Sequence, residues 1–304
     1  WDVLDKQKGL FDLSKLFVGA QGTLGLHTEI TFSLVKPKPY SRLVVIFLKD
    51  LSILAKLVNK VLAYSPESFE AYDDHTFKIS LKLFPKIVKR LGGSAFSLAF
   101  KFLPEFWALL TGGVPKMVLL AEFTGYTDEE ALQQAEKALV GVKNFPVQAR
   151  VTSTPDEAKK YWVMRRESFN LLRQHVKHVR TAPFIDDMVV KPEVLPEFLP
   201  ELYKLLDKYP LTYTVAGHVG NGNFHIIPLM DLTKPESKDI IFKLFPEVNK
   251  LLMKFGGSNT GEHNDGLLRS VYLPEVYGPK VYALFEQIKK IFDPDNIFNP
   301  GKKV

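Results

Sequence analysis

A repeated order of three elements constrains the fold of this chain most strongly. An apolar run rich in β-forming residues is followed by an amphipathic helical pattern and a second β-rich run, first over residues 43–79 and again over residues 117–152. In the second copy the helix is predicted over residues 128–142, because Thr127 and the acidic residues after it are typical of a helix start. The sequence therefore predicts two β-α-β units.

The later part of the chain fits the same architecture. Helical periodicity recurs near residues 155–174, 193–208, 237–255 and 273–292. A sheet with an apolar face needs helices that bury this face. We therefore predict the α+β class: an antiparallel sheet with helices on one face, built from two β-α-β units with an inserted helical segment.

Two segments divide the chain. The run Lys36-Pro37-Lys38-Pro39 is typical of a linker, which predicts a boundary between residues 1–39 and residues 40–304. Residues 80–115 are basic, rich in Phe and interrupted by two Gly-Gly pairs, and we predict that they form an insertion.

The basic charge of the chain is concentrated in this insertion. The net charge is +6, and six basic residues but no acid lie between Lys78 and Pro104. Lys82, Lys86 and Arg90 would share one helix face because of their four-residue spacing. Two interpretations stay open, a solvated face over a core and a surface that lies on anionic lipid. Nucleic-acid binding is not predicted, because no recognised reading motif accompanies the charge.

Composition excludes several classes of protein. The chain has no cysteine, so a disulfide framework, a thiol nucleophile and a Cys-ligated metal are excluded, and any metal must be bound by His, Asp or Glu. No uncharged apolar run reaches the ~18 residues of a membrane span. No secretory signal follows Trp1. We predict a cytoplasmic protein, with the inner face of the membrane as the alternative if the basic segment binds lipid.

Residues 217–225 contain the strongest short-range signal for a hairpin. Asn221-Gly222 lies between β-forming residues, and a type I′ turn favours this dipeptide because both central residues need positive φ. That turn would place His218 directly opposite His225, with Cβ atoms about 4.5–5.5 Å apart on one side of the sheet. Both imidazoles could then bind one metal ion. A pair of surface histidines without a ligand is the alternative.

A second Gly-rich stretch, residues 256–266, contains another notable histidine. Glu262 could complete a set of two histidines and one carboxylate, which suits zinc or another divalent metal. His263 is then a candidate general base, and a capping or packing role is the alternative.

Two further pairs of residues could bind a ligand. Arg165 or Arg166 could face inward from a helix and bind a carboxylate through the guanidinium fork, although a helical arginine pair is usually surface charge. Asp186 and Asp187 could act as paired carboxylates, although turn roles are more common for such residues.

Four stretches of the chain, taken in order, carry a resemblance to a known family. They are residues 16–29 (LFVGAQGTLGLHTE), the two histidine motifs, and residues 292–302 (FDPDNIFNPGK). The chain resembles the FAD-linked 2-hydroxy-acid oxidoreductases of the vanillyl-alcohol oxidase type. That group includes D-lactate dehydrogenases, the flavin subunit of glycolate oxidase and D-2-hydroxyglutarate dehydrogenase.

The resemblance implies a two-domain flavoenzyme. Residues 1–39 would be the C-terminal remnant of an N-terminally truncated FAD-binding domain, and residues 40–304 would be the substrate domain. This chain would therefore supply only some of the FAD contacts. The residues that would contact or approach the flavin cofactor are Gly22, Thr23, Gly25, Leu26 and Asn299.

The same resemblance implies roles for the polar candidates. A divalent metal, zinc above all, would be held by His218, His225 and Glu262. His263 would be the general base, and Arg165 would bind the substrate carboxylate. Ile227 occupies a position where members that act on dicarboxylates tend to have a polar residue, which implies D-lactate or glycolate as the substrate. The implied reaction oxidises the 2-hydroxy acid to the 2-oxo acid, with the hydride passing to FAD.

Two other interpretations stay open. The chain could be a non-catalytic binding module, that is, a substrate domain separated from its flavin domain, or part of a flavoenzyme similar to ether-lipid synthases. For the enzyme, the expected partners are the 2-hydroxy acid and a quinone or protein electron acceptor. An anionic membrane surface and a homodimer are further options.

Overall fold

The computed structural model describes residues 3–82, 113–175 and 179–304. The chain folds into two compact units, each held together by contacts among its own residues. The terminal unit combines Trp1–Val35 with Ser258–Val304, and the central unit is Lys36–Gly257. The predicted division of the whole protein at residue 39 stays a prediction.

The elements are named here in chain order. The terminal unit begins with β1 (Leu4–Asp5), β2 (Leu10–Phe11) and α1 (Ser14–Phe17). The first half of the central unit contains β3 (Tyr40–Leu48), α2 (Leu54–Leu62), β4 (Ser68–Asp73), α3 (Asp74–Lys82), β5 (Met117–Gly125), α4 (Asp128–Val142) and β6 (Gln148–Val151). Its second half contains α5 (Pro155–His175), β7 (Arg180–Thr181), β8 (Met188–Val189), α6 (Leu195–Leu206), β9 (Thr212–His218), β10 (Asn223–Met230) and α7 (Pro235–Lys254). The terminal unit is completed by α8 (Gly266–Arg269) and α9 (Leu273–Phe292).

The central unit is built on one antiparallel sheet. Its strand order is β6-β3-β5-β4-β9-β10-β7, and β8 also pairs with β10. The two predicted β-α-β units are β3-α2-β4 and β5-α4-β6, and they interleave because β5 lies between β3 and β4. The predicted α+β class with an antiparallel sheet is confirmed.

Helices cover both faces of the sheet at β3, rather than one face alone. Leu43 and Val45 belong to a core cluster with Tyr161 of α5. The alternate residues Val44 and Ile46 point to the other face and are equally buried, and α4 packs there against β3 and β5. A strand buried on both faces gives a continuous apolar run instead of an alternating pattern.

β4 ends at Asp73, although the β-rich run predicted in the first unit extends from residue 69 to residue 79, because α3 begins inside that run. Asp73 Oδ1 accepts hydrogen bonds from the backbone N of Thr76 at 2.9 Å and from its Oγ1 at 2.8 Å. This is the capping interaction that begins α3. Most of the predicted insertion at residues 80–115, including Lys86 and Arg90, lies outside the described residues.

No helix in the described parts of the chain is long and apolar enough to cross a membrane.

Candidate functional site

The two histidines of the 217–225 motif lie on neighbouring strands, but they are not directly opposite each other. β9 pairs with β10 so that His218 is opposite Asn223, not His225. The predicted tight turn at Asn221-Gly222 is wrong, because the residues before Gly222 form a 3-10 turn that Gly222 closes in the left-handed conformation at φ 68°. His218 and His225 are therefore diagonal neighbours on one face, a separation that long side chains can still span.

The diagonal arrangement still brings the two imidazoles together. The ring centroids of His218 and His225 are 5.4 Å apart, and the ring planes are nearly perpendicular at 89°. Nδ1 of His218 lies 2.8 Å from Glu70 Oε1, and Nδ1 of His225 lies 3.0 Å from Asp186 Oδ1. A carboxylate at Nδ1 favours the tautomer protonated there, so that Nε2 carries the lone pair that a metal takes.

Strand register explains why Glu70 meets His218. β4 pairs with β9 through Ala71 opposite Gly217, so that the next row of the antiparallel ladder brings Glu70 and His218 together. Both side chains project to the face that α5 covers. Glu70 is mostly buried, with 10% of its side chain exposed.

Arg165 reaches the same cluster from α5. Tyr161 and Met164 anchor this helix in the core, and Arg165 lies one turn after Tyr161 on the same side. Arg165 Nη2 is 2.5 Å from Glu70 Oε2. The buried Nε of Arg165 has no hydrogen-bond partner within the described part of the chain, although such buried donors normally have one. The side chain of Arg166 lies outside the described residues.

The two adjacent aspartates have separate partners. Asp186 contacts His225, whereas Asp187 Oδ1 accepts a hydrogen bond of 2.9 Å from Asn223 Nδ2. Asp187 is fully buried and has a φ of 67°, a left-handed conformation that Asp tolerates better than most residues. The loop before β8 therefore positions both His225 and the residue opposite His218.

The other predicted metal ligand and the predicted base lie in the terminal unit, in the loop before α8. Glu262 and His263 are about half exposed, at 49% and 52%, and Glu262 Oε1 is 3.3 Å from His263 Nε2. The loop continues through Asn264 in the left-handed conformation at φ 65°. Lys303 Nζ donates to Asn264 Oδ1 at 2.6 Å and fixes the loop from the C-terminal side. The roles of Glu262 and His263 stay predictions.

The predicted FAD contacts meet the C-terminal signature within the terminal unit. Asn299 Nδ2 donates a 2.7 Å hydrogen bond to the carbonyl of Gln21. The buried Lys289 donates to the carbonyls of Thr23 at 2.8 Å and of Phe298 at 2.7 Å. These contacts hold the loop at residues 19–25 against the end of the chain.

Within that loop, the backbone conformation fits a role that glycine alone can fill easily. Gly22 and Gly25 have positive φ values of 70° and 147°. Thr23 is buried, and its hydroxyl donates to the carbonyl of Ala20 at 2.7 Å, whereas Leu26 is 82% exposed. A cofactor would therefore meet backbone and the Leu26 side chain here, which is compatible with the predicted contacts.

Two residues at these sites, Glu70 and Lys289, were not predicted from the sequence. Glu70 gave one weak signal, an acid inside a strand whose other central residues are apolar or aromatic. Lys289 gave none, because a lysine on an amphipathic helix normally faces solvent.

Comparison with known proteins identifies the family of the chain. Residues 37–303 match the family described as FAD linked oxidases, C-terminal domain. The chain is 27% identical over 303 residues to D-2-hydroxyglutarate dehydrogenase of Pseudomonas putida, covering 98% of this chain and 28% of that protein. It is 25% identical over 305 residues to glycolate oxidase subunit GlcD of Bacillus subtilis, covering 98% of this chain and 58% of that protein.

A third relative is D-lactate dehydrogenase of Anaerostipes hadrus, 27% identical over 303 residues, with 98% of this chain and 59% of that protein covered. The chain thus spans between about a quarter and three fifths of the length of these relatives. Among solved structures, p-cresol methylhydroxylase with substrate bound matches 90% of this chain and 54% of its own at a TM-score of 0.61 and 17% identity, a likeness of fold alone. Since the family match covers most of the sequence, the chain belongs to the FAD-linked oxidases, as their C-terminal domain.

Proposed function

We propose that this chain forms the substrate side of an FAD-dependent enzyme that oxidises a 2-hydroxy acid to the 2-oxo acid. The observation that carries the proposal is a continuous polar cluster on one face of the sheet. In that cluster the cation Arg165 contacts Glu70, and Glu70 contacts His218, which lies beside His225. Arg165 can bind a carboxylate, and the two imidazoles can bind a metal. Such a set suits a substrate with a carboxylate next to an oxygen that a metal can bind.

Arg165 is the residue proposed to bind the substrate carboxylate. One end of its guanidinium is held by Glu70, and its buried Nε lacks a hydrogen-bond partner among the residues described. A carboxylate ligand would satisfy this donor. A guanidinium also presents paired N–H groups to a carboxylate, which fixes the orientation of the ligand.

The paired imidazoles fit a divalent metal, with zinc as the first choice. His218 and His225 each have a carboxylate at Nδ1, which is the usual outer partner of a metal-bound histidine. Glu262 is proposed as the third ligand, on the family resemblance. The metal would supply positive charge beside the substrate hydroxyl and thereby lower the pKa of that hydroxyl.

His263 is proposed to accept the hydroxyl proton at an imidazole nitrogen. Bound FAD would supply the hydride acceptor. The fit of the terminal unit to FAD rests on the positive-φ glycines Gly22 and Gly25 and on the Asn299 contact beside them.

The substrate class is proposed to be small monocarboxylic 2-hydroxy acids, with D-lactate or glycolate favoured over D-2-hydroxyglutarate. Ile227 lies two residues after His225 on β10, so it projects to the same face and is half-buried. An apolar side chain there offers no partner for a second carboxylate. Relatives of the chain carry all three substrate names, so the choice needs a direct test.

The surface of the terminal unit supports the proposal that a flavin-binding domain completes the enzyme. Residues 29–35 belong to no helix or strand, and their apolar side chains Ile30, Phe32, Leu34 and Val35 are 58%, 74%, 91% and 88% exposed. A group of exposed apolar side chains such as this normally packs against other structure. The electron acceptor, the membrane contact and the homodimer stay predictions.

The test is steady-state turnover with a dye as electron acceptor, on the protein that carries this chain, purified with its flavin. D-lactate and glycolate should give higher kcat/KM than D-2-hydroxyglutarate. Arg165→Lys should lower kcat/KM about 10–100-fold, because a charged hydrogen bond worth ~1.5–3 kcal/mol is lost. Arg42→Lys is the matched control, since Arg42 binds Asp128 instead of the cluster.

Two outcomes would contradict the proposal. Equal losses in Arg165→Lys and Arg42→Lys would remove Arg165 from the substrate site. Binding of 2-hydroxy acids without any flavin reduction would favour the non-catalytic binding module instead.

A further inference from the structure

We propose that Glu70 is a positioning residue that locks the substrate arginine and a metal-ligating histidine into one geometry. This inference rests on the proposed function, since it takes Arg165 as the carboxylate-binding residue and His218 as a metal ligand. It adds a residue that none of the sequence motifs contains.

The two carboxylate oxygens of Glu70 have different partners. Oε1 lies 2.8 Å from Nδ1 of His218, and Oε2 lies 2.5 Å from Nη2 of Arg165. The three side chains come from β4, β9 and α5, so the contact joins two neighbouring strands and the helix that covers them. Only 10% of the Glu70 side chain is exposed.

Burial makes this arrangement specific. A carboxylate that is nearly removed from water is costly unless charged or hydrogen-bonding groups surround it. Glu70 Oε1 is hydrogen-bonded to His218, and its charge is balanced by the ion pair of Oε2 with Arg165, so Glu70 ties the positions of the two partners together. A rigid carboxylate also leaves little freedom in the separation of the two groups.

The Glu70 contact also determines which nitrogen of His218 can bind metal. A carboxylate at Nδ1 keeps the proton on that atom and directs Nε2 to the metal. Asp186 holds His225 in the same way. Glu70 has an additional role, because its second oxygen contacts Arg165, the arginine predicted to bind the substrate carboxylate.

The test compares two quantities in Glu70→Gln, a nearly isosteric change that removes the charge. The first is the affinity for Zn²⁺ alone, measured by competition with a chromogenic chelator. The second is KM for the 2-hydroxy acid in the Zn²⁺-loaded, flavin-containing protein. Glu122→Gln is the matched control. Glu122 lies on β5 opposite Ser68 of β4, on the same face of the sheet as Glu70, and its carboxylate accepts a hydrogen bond from Ser68 Oγ at 3.3 Å.

Glu70→Gln should bind Zn²⁺ about 10–100-fold more weakly, as expected when the outer partner of a metal-bound histidine is lost. KM should rise by about tenfold, with a smaller change in kcat, because Arg165 loses its fixed orientation before chemistry begins. Glu122→Gln should leave both quantities unchanged. Glu70→Asp, which keeps the charge but is too short to serve both partners, should recover part of one quantity only.

The outcomes separate this inference from the proposed function. If the wild type binds Zn²⁺ and Glu70→Gln binds it with the same affinity, the role of Glu70 is overturned and the proposed function is unaffected. A change in KM alone or in Zn²⁺ affinity alone would overturn the link between the two partners. A wild type that binds no Zn²⁺ would overturn the metal centre and, with it, the role of Glu70. If Glu70→Gln does not fold, Glu70→Asp decides instead: both quantities should be impaired relative to the wild type, one less than the other, and a wild-type value of either would overturn the link.

Discussion

His75, at the start of α3, is hydrogen-bonded to a buried carboxylate. Its Nδ1 lies 3.0 Å from Asp73 Oδ2, and Asp73 is fully buried. The hydrogen bond to Asp73 raises the pKa of His75 above its usual 6.5, against the opposing effects of burial and of Lys78, with Asp74 adding to the rise. The rings of Tyr203 and Tyr213 pack against the imidazole.

This pKa gives the stability of the fold a defined pH dependence. A raised folded-state pKa means that protonated His75 stabilises the native state. The contribution should be fully present below pH 6.5 and should be lost as the pH rises through the folded-state value. The measurement is the difference in unfolding free energy between wild type and His75→Asn, from urea titrations at several pH values. A difference that grows with rising pH would contradict the assignment.

The predicted role of His263 as general base can be tested by a single substitution. General-base catalysis is typically worth about 10²–10⁴-fold, so His263→Ala should lower kcat by that factor, or roughly 3–5 kcal/mol in barrier. His75→Asn is a suitable control, because His75 lies outside the proposed site. A fall in kcat of less than about tenfold in His263→Ala would show that another group takes the proton.

Among the elements, the connection between β9 and β10 depends on one glycine. Gly222 has a φ of 68°, and a Cβ atom there would lie 1.8 Å from the carbonyl oxygen of Val190. That carbonyl belongs to the segment that follows β8, which pairs with β10 on its other side. The turn that follows His218 therefore packs directly against the segment after β8, which leaves no room for a side chain at residue 222.

Gly222→Ala should be much more destabilising than Gly256→Ala. Gly256 has almost the same φ, 64°, but open space around its Cβ position. Both variants should lose about 1–2 kcal/mol from the left-handed backbone, and Gly222→Ala should lose a further ~1–3 kcal/mol from the clash. Urea unfolding of the two variants measures the difference, and equal losses would show that the turn can move away from Val190.

Elements with strong local signals could be predicted from the sequence, whereas those that depend on distant contacts could not. α4 begins at Asp128 as predicted, because Thr127 accepts the N–H of Glu130 and acids fill the first turn. The predicted hairpin register was wrong: Asn221-Gly222 favours a tight turn locally, but the chain forms a 3-10 turn over Val219–Asn221 before Gly222, which packs against the carbonyl of Val190. The two histidines were still expected side by side, since diagonal and direct neighbours share a face.

The candidate site shows the same limit. His218 and His225 could be selected from the sequence because their motif is distinctive, whereas Arg165 was chosen over Arg166 only through the family resemblance. Glu70 could not, since its partner Arg165 lies on another element and an acid in a strand is usually a solvated alternate residue. Only the pairing of β4 with β9 brings Glu70 to His218.

The division of the protein into two units does not follow the order of the chain. The terminal unit joins residues from both ends, through contacts such as Asn299 with Gln21 and Lys289 with Thr23. Local patterns predict a break near residue 39 but carry no information about such distant pairings. The two stretches with the predicted FAD contacts belong to one unit because of them.

If the proposed function is right, a 2-hydroxy acid passes its hydride to flavin in the protein that carries this chain. The most direct measurement is the visible absorbance of the flavin after anaerobic mixing with D-lactate or glycolate. We expect rapid bleaching of the oxidised flavin, which is slowed in Arg165→Lys at low substrate concentration and in His263→Ala at saturation. An unchanged flavin spectrum with every 2-hydroxy acid tested, D-2-hydroxyglutarate included, would contradict the proposed function.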